Sequence, residues 1–278
     1  MIHPFERKRK ERSIVMKGKC VEIVTVVVAI ACTALWPCLS YAWGPSERET
    51  YTSEAPASYA IFNSITNNEA VGDERNFVRI GELNATAPYT DEIVIEPGKE
   101  YEVYIYYHNN AAEDTNDSGY GIATAAKVAS SYPAVVEQGT VGTVTGNITW
   151  NYVDYNDETH DGIVWDEAFV TTEADCVTLK YKVGSAVIHN FGEVNGSVLS
   201  EDFFSEQGTA IGYNELKGVI PGGAEYSGYI TYTLTASEPE SVRRICKQDI
   251  VLALIVLAEV MAAAVSGLRK AKKSNKRR

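Results

Sequence analysis

Two short acidic runs have residue types and spacing that could hold a divalent cation. In Asp114-Thr115-Asn116-Asp117-Ser118-Gly119, Asp114, Asn116 and Ser118 put oxygen-bearing side chains at the first, third and fifth positions, with glycine at the sixth. Asp157, Thr159 and Asp161 repeat that spacing ahead of Gly162. A calcium loop needs this pattern because several hard oxygens must converge while the backbone turns sharply at the sixth position. It also needs a bidentate Glu at the twelfth, where this chain has Ala125 and Ala168. Calcium is the cofactor these runs suggest, and a solvated turn is the competing reading of each.

Other candidates carry less chemistry. His108, His160 and His189 lack the short separations of metal-ligating histidines, and Ser185 in Gly-Ser-Ala lacks the flanks of a nucleophile elbow. Carboxylates are abundant, but an acid and base pair needs a defined separation in space. No catalytic residue is assigned, and a surface hydrolase has no constellation behind it. Asn84-Ala-Thr86, Asn147-Ile-Thr149 and Asn195-Gly-Ser197 match the N-glycosylation acceptor pattern, a triplet that arises often by chance.

Two apolar segments decide where these loops are displayed. Ile250 to Leu268 contains a single charged residue, Glu259. At about 1.5 Å per residue this helix reaches about 28 Å, near the hydrocarbon thickness of a bilayer. The tail from Arg269 to Arg278 holds seven Lys or Arg and resists translocation, which predicts a single-pass span with a cytoplasmic C-terminus. At the other end, seven basic residues from Arg7 to Lys19 precede an apolar run from Ile23 to Leu39 and then Ser40-Tyr41-Ala42. Residues 1–42 read as a signal peptide cleaved before Trp43, or as an uncleaved anchor. Both readings export the middle of the chain. No Leu-Pro-x-Thr-Gly sorting motif precedes the span, so the helix itself is expected to hold the protein.

Glu259 lies mid-span, where an ionisable group is costly and seldom faces lipid. Ala263 and Gly267 follow at intervals of four on the same stripe, so a second helix could approach closely. Self-association or docking to another membrane protein is one reading of that stripe. A protonated Glu in an Ala-rich anchor is the other.

Residues 43–249 hold 11 of the 25 Lys and Arg but 33 of the 37 Asp and Glu, a formal charge of −22. Such a surface repels phosphate backbones, which argues against nucleic acid as a partner, and attracts cations or basic patches. Cys20, Cys32 and Cys38 belong to the N-terminal signal, leaving Cys176 and Cys246 without an obvious pair. Burial rather than disulfides must therefore hold the exported segment together, and its length permits that.

Beyond a polar lead-in, this segment is a series of short runs rich in Tyr, Val, Ile and Thr, broken by Gly, Asn, Asp and Pro. No helical period is sustained. Strands are expected near Tyr59 to Thr66, Asn76 to Leu83, Glu92 to Glu96, Glu100 to His108, Ile122 to Ser130 and Val141 to Tyr152. Further strands are expected near Ile163 to Thr171, Cys176 to Lys182, Ser185 to His189, Ala210 to Tyr213 and Tyr226 to Ala236. The fold class is all-β, a β-sandwich. In Glu100 to His108, alternation directs Tyr101, Val103, Ile105 and Tyr107 to the core and Glu102, Tyr104, Tyr106 and His108 the other way. That second aromatic stripe is either covered by a neighbour or a ligand platform. Glu-Tyr-x-x-Tyr-Ile-x-Tyr occurs at Glu100 and again at Glu225, after a Pro-Gly turn each time. The echo allows two stacked sandwiches, or two strands of one larger sandwich.

Tyr181-Lys182-Val183-Gly184-Ser185-Ala186-Val187, Phe203-Phe204, Val219-Ile220-Pro221-Gly222 and Tyr229 to Thr235 resemble the end of the Ig-like repeats called DUF11 in bacterial cell-surface proteins. Pro97-Gly98 through Asn110, followed by Gly121 to Ser130, resembles their opening strands. The resemblance spans about residues 96–236. It departs through a long insertion between about Val136 and Val164, and residues 59–95 have no counterpart. It implies a surface-displayed Ig-like β-sandwich serving as a spacer or adhesive module and implies no catalytic residues. The expected order is signal 1–42, lead-in and strands 43–95, sandwich 96–236, linker 237–249, span 250–268 and basic tail 269–278. The expected role is a membrane-anchored envelope protein that meets an extracellular protein or glycan. A calcium-dependent or sugar-binding ectodomain is the alternative.

Overall fold

A computed structural model describes residues 43–239. The signal segment, the expected span with Glu259, Ala263 and Gly267, and the basic tail lie outside the described residues. Among the described residues, no helix is long and apolar enough to cross a membrane.

The described residues form eleven strands: β1 (Val78–Glu82), β2 (Glu92–Val94), β3 (Glu100–Tyr107), β4 (Thr124–Ser131), β5 (Val135–Glu137), β6 (Gly142–Val153), β7 (Thr159–Thr171), β8 (Cys176–Tyr181), β9 (Val187–His189), β10 (Thr209–Ala210) and β11 (Gly228–Ser237). One sheet runs β1-β3-β11-β8-β5, with β9 also paired to β11, and the other runs β10-β4-β6-β7-β2. Among these strands, β2 alone is parallel to its neighbour, β7. The inward side chains of both sheets form one apolar cluster, giving an all-β, sandwich-like fold. The Ser130 and Tyr232 hydroxyls meet at 2.9 Å across the layers. At Gly146 a Cβ would lie 2.6 Å from Val78 Cγ2, so the close approach of the sheets there depends on glycine.

Strands from both sides of residue 140 interleave in each sheet, so the option of two stacked sandwiches is not realised. The echoed motif explains itself in the register. β3 and β11 are antiparallel neighbours, with Ile105 opposite Ile230 and Val103 opposite Tyr232, so similar chemistry reflects equivalent places in one sheet. The segment set aside as an insertion is the middle of the second sheet, because β6 and β7 pair continuously from Gly142 and Val170 to Val153 and Thr159.

Tyr59 to Thr66, expected as a strand, is irregular and makes only isolated bridges, Phe62 with Asn109 and Ile65 with Tyr51. Asn63 breaks the extended path at φ 47°, and side chains supply the missing hydrogen bonds: the Asn109 and Asn110 carbonyls accept the N–H groups of Ile61 and Ile65 at 3.2 Å each. The segment is still buried through Ala60, Phe62 and Ile65, and the Trp150 indole N–H donates to the Ala60 carbonyl at 2.9 Å. Other elements also differ from expectation: β7 begins at Thr159, four residues before Ile163, the strand expected from Ala210 to Tyr213 is only the short β10 at Thr209–Ala210, and β5 forms where no strand is expected.

Candidate functional site

The β6–β7 hairpin turns at Asp154 to Glu158. The Asp154 and Asp157 N–H groups donate to the Glu158 and Asp154 carbonyls, each at 3.0 Å, and Asp157 takes φ 60° at the tip. Asp154 Oδ1 accepts the N–H groups of Asn156 and Glu158 at 2.8 and 3.0 Å. Its Oδ2 accepts the Asn156 amide at 3.2 Å and lies 3.2 Å from His160 Nε2. The Glu158 N–H leads the interactions that bring the Asp154 carboxyl down to about 2.

The cation ligands expected here were Asp157, Thr159 and Asp161. Strand alternation turns Thr159 and Asp161 away from the face that carries Glu158 and His160. The groups brought together in this hairpin are Asp154, Glu158 and His160, whose ligand atoms all lie within 4.8 Å of one another. No familiar motif announces this Asp-x3-Glu-x-His spacing, and the convergence becomes readable only when Asn156-Asp157 is taken as a hairpin tip. His160 stacks on Tyr152, its cross-strand partner, with ring centroids 5.1 Å apart, and Tyr59 stacks on Tyr152 at 5.0 Å.

In the first acidic loop, Asp114 is exposed within a 3-10 turn spanning Glu113–Thr115. Asn116 is committed elsewhere: its amide donates to the Gly222 carbonyl and its carbonyl accepts the Gly222 N–H, both at 2.8 Å. The Ser118 hydroxyl donates to the Thr115 carbonyl at 2.8 Å. Asn116 thus ties this loop to the Pro221-Gly222 turn.

The aromatic stripe on β3 divides. Tyr106 and His108 are buried beneath the irregular N-terminal segment. Tyr104 belongs to a ladder of stacked rings, Tyr89, Tyr104, Tyr229 and His189, with successive centroids 5.4, 4.9 and 4.7 Å apart. Burial pushes the Tyr104 hydroxyl up to about 12 and lowers the His189 imidazole. The inner rings spend their faces on one another, whereas a sugar platform needs open faces. Only the two ends of the ladder can offer them.

Two polar clusters were not foreseen. Glu74, fully buried, accepts from the Asn68 amide at 2.6 Å and the Asn110 amide at 2.7 Å, and meets His108 Nδ1 at 2.8 Å. The second lies beside the start of the described chain. Gly44 makes both backbone hydrogen bonds with Trp165 at the edge of β7, at 2.9 and 3.0 Å, and only glycine fits there because a Cβ would enter the Trp165 ring. The Arg75 guanidinium lies 4.1 Å over the Trp43 ring and that of Arg48 lies 5.7 Å from it. Burial lowers Arg48 to about 10. Nearby, Asp166 accepts the N–H groups of Phe77 and Val78 at 2.6 and 2.7 Å, while its burial pushes the carboxyl up to about 7.

A shallow groove of about 290 Å³ lies at the β2 edge of the second sheet, lined by Glu92, Ile93, Val94, Val141, Phe169 and Thr171. Comparison with family models, with curated proteins and with solved structures finds no match to this chain.

Proposed function

We propose that this chain is a membrane-anchored bacterial surface protein that displays its acidic β-sandwich as an adhesive or structural module of the envelope. One observation carries this reading: the strongly anionic all-β body occupies the interval between two apolar segments whose other flanks are cationic. The exposed Val94 and Val141 beside the groove supply apolar contact area of the kind a partner protein covers. The Pro-Gly turn and the closing strand β11 fit the Ig-like module of the DUF11 resemblance. The helix stripe of Glu259, Ala263 and Gly267 is proposed to join copies of the chain or a second membrane protein. A cation-dependent ectodomain is the second reading, favoured by the convergence of ligand atoms in the β6–β7 hairpin.

Protease applied to intact cells tests the topology. The sandwich should be digested while a tag fused after Arg278 stays protected until the membrane is permeabilised. A protected sandwich with a digested tag refutes the reading.

A further inference from the structure

We propose that Asp154, Glu158 and His160 form a binding site for a divalent transition-metal ion of the zinc class at the tip of the β6–β7 hairpin. The imidazole separates this cluster from the solvated carboxylates elsewhere on the surface. Calcium takes six to eight oxygen ligands, whereas one nitrogen and two carboxylates suit zinc and its borderline neighbours. The distances agree. Two donors bound tetrahedrally to one zinc ion, each at about 2.0–2.1 Å, lie about 3.3 Å apart. His160 Nε2 and Asp154 Oδ2 are 3.2 Å apart. The Glu158 ligand oxygen lies within 4.8 Å of both, and this exposed side chain can close the remaining gap by changing rotamer.

The two closer donors are held in place by groups that do not ligate. The Asn156 and Glu158 N–H groups fix Asp154 Oδ1, and Oδ2, which also accepts the Asn156 amide, faces His160. The Tyr152 ring, itself backed by Tyr59, covers one face of the imidazole and sets its plane. Outer contacts of this kind orient metal ligands in known sites. Three protein ligands leave a fourth position for water or for a donor from another molecule, the open form of a zinc site. The inference depends on the hairpin alone and stands whether or not the envelope reading does.

The test titrates Zn²⁺ into the full-length protein in detergent, carrying no histidine tag, against a chromophoric chelator. One saturable site is expected, unaffected by millimolar Ca²⁺. His160→Phe keeps a ring against Tyr152 and removes the donor, so it should weaken Zn²⁺ binding by at least about tenfold. Glu158→Gln should weaken it in the same direction with the hairpin intact. Cobalt in place of zinc should give visible absorption that His160→Phe loses. The absence of saturable binding at one equivalent overturns the proposal. So does binding of wild-type affinity in both variants, or displacement of zinc by calcium.

Discussion

Asp166 offers the sharpest test of how this body is built. Its carboxyl is 1 % exposed and burial pushes it from 3.8 to about 7, against the pull of the Phe77 and Val78 N–H groups. The folded state therefore retains a proton that the unfolded state releases, and stability falls as pH rises from about 4 to about 7. At about 1.4 kcal/mol per pH unit, the loss between pH 5 and pH 8 amounts to about 2–3 kcal/mol, tailing off above the folded value. Asp166→Asn keeps an oxygen to accept the same N–H groups and has no proton to lose. Asp154, at about 2, titrates below this window, and the histidines are common to both proteins. Urea unfolding of wild type and Asp166→Asn, followed by tryptophan fluorescence at several pH values, should show the variant gaining about 2–3 kcal/mol on the wild type between pH 5 and pH 8. Parallel curves would refute the assignment of that proton to Asp166. A wild type that gains on the variant as pH rises would show instead that attraction between ionised Asp166 and Arg48 outweighs desolvation.

Glu74→Ala should cost about 3–5 kcal/mol in the same urea assay, because it leaves the buried Asn110 amide and His108 ring, and the half-buried Asn68 amide, without the carboxylate they meet. A loss below about 1 kcal/mol would mean that water replaces the carboxylate. On the proposed membrane span, Glu259→Leu combined with Gly267→Leu should abolish crosslinked dimers in membranes; an unchanged crosslinking pattern would refute the proposed association.

What the sequence makes legible follows from how local its physics is. Strand β3 is readable because Pro97-Gly98 turns the chain in, Asn109-Asn110 ends it, and period-two alternation selects Tyr101, Val103, Ile105 and Tyr107 for burial, as found. Tyr59 to Thr66 has the same apolar character and was expected to be a strand. Its actual path depends on amides of Asn109 and Asn110, more than forty residues away, which satisfy its backbone in place of a neighbouring strand. No window of sequence contains that information.

The candidate site turns on the same difference between local spacing and tertiary pairing. The oxygen spacing of a calcium loop assumes a coil whose alternate residues converge, and in Asp157 to Asp161 that assumption selects alternate residues starting from the tip. Once β7 begins at Thr159, the pleat governs: Thr159 and Asp161 are strung along one face of the extended strand instead of converging, and His160 points to the other. Convergence then comes from across the turn, where Asp154, on the incoming side, reaches Glu158 and His160. The four residues by which β7 exceeds its expected start therefore decide which side chains gather, and with them whether the hairpin suits a hard oxygen-seeking cation or one that prefers an imidazole. The zinc titration of Glu158→Gln and His160→Phe thus also tests the register of the hairpin: a tip that behaved as a calcium loop would lose calcium, not zinc, when Asp157 or Asp161 was changed.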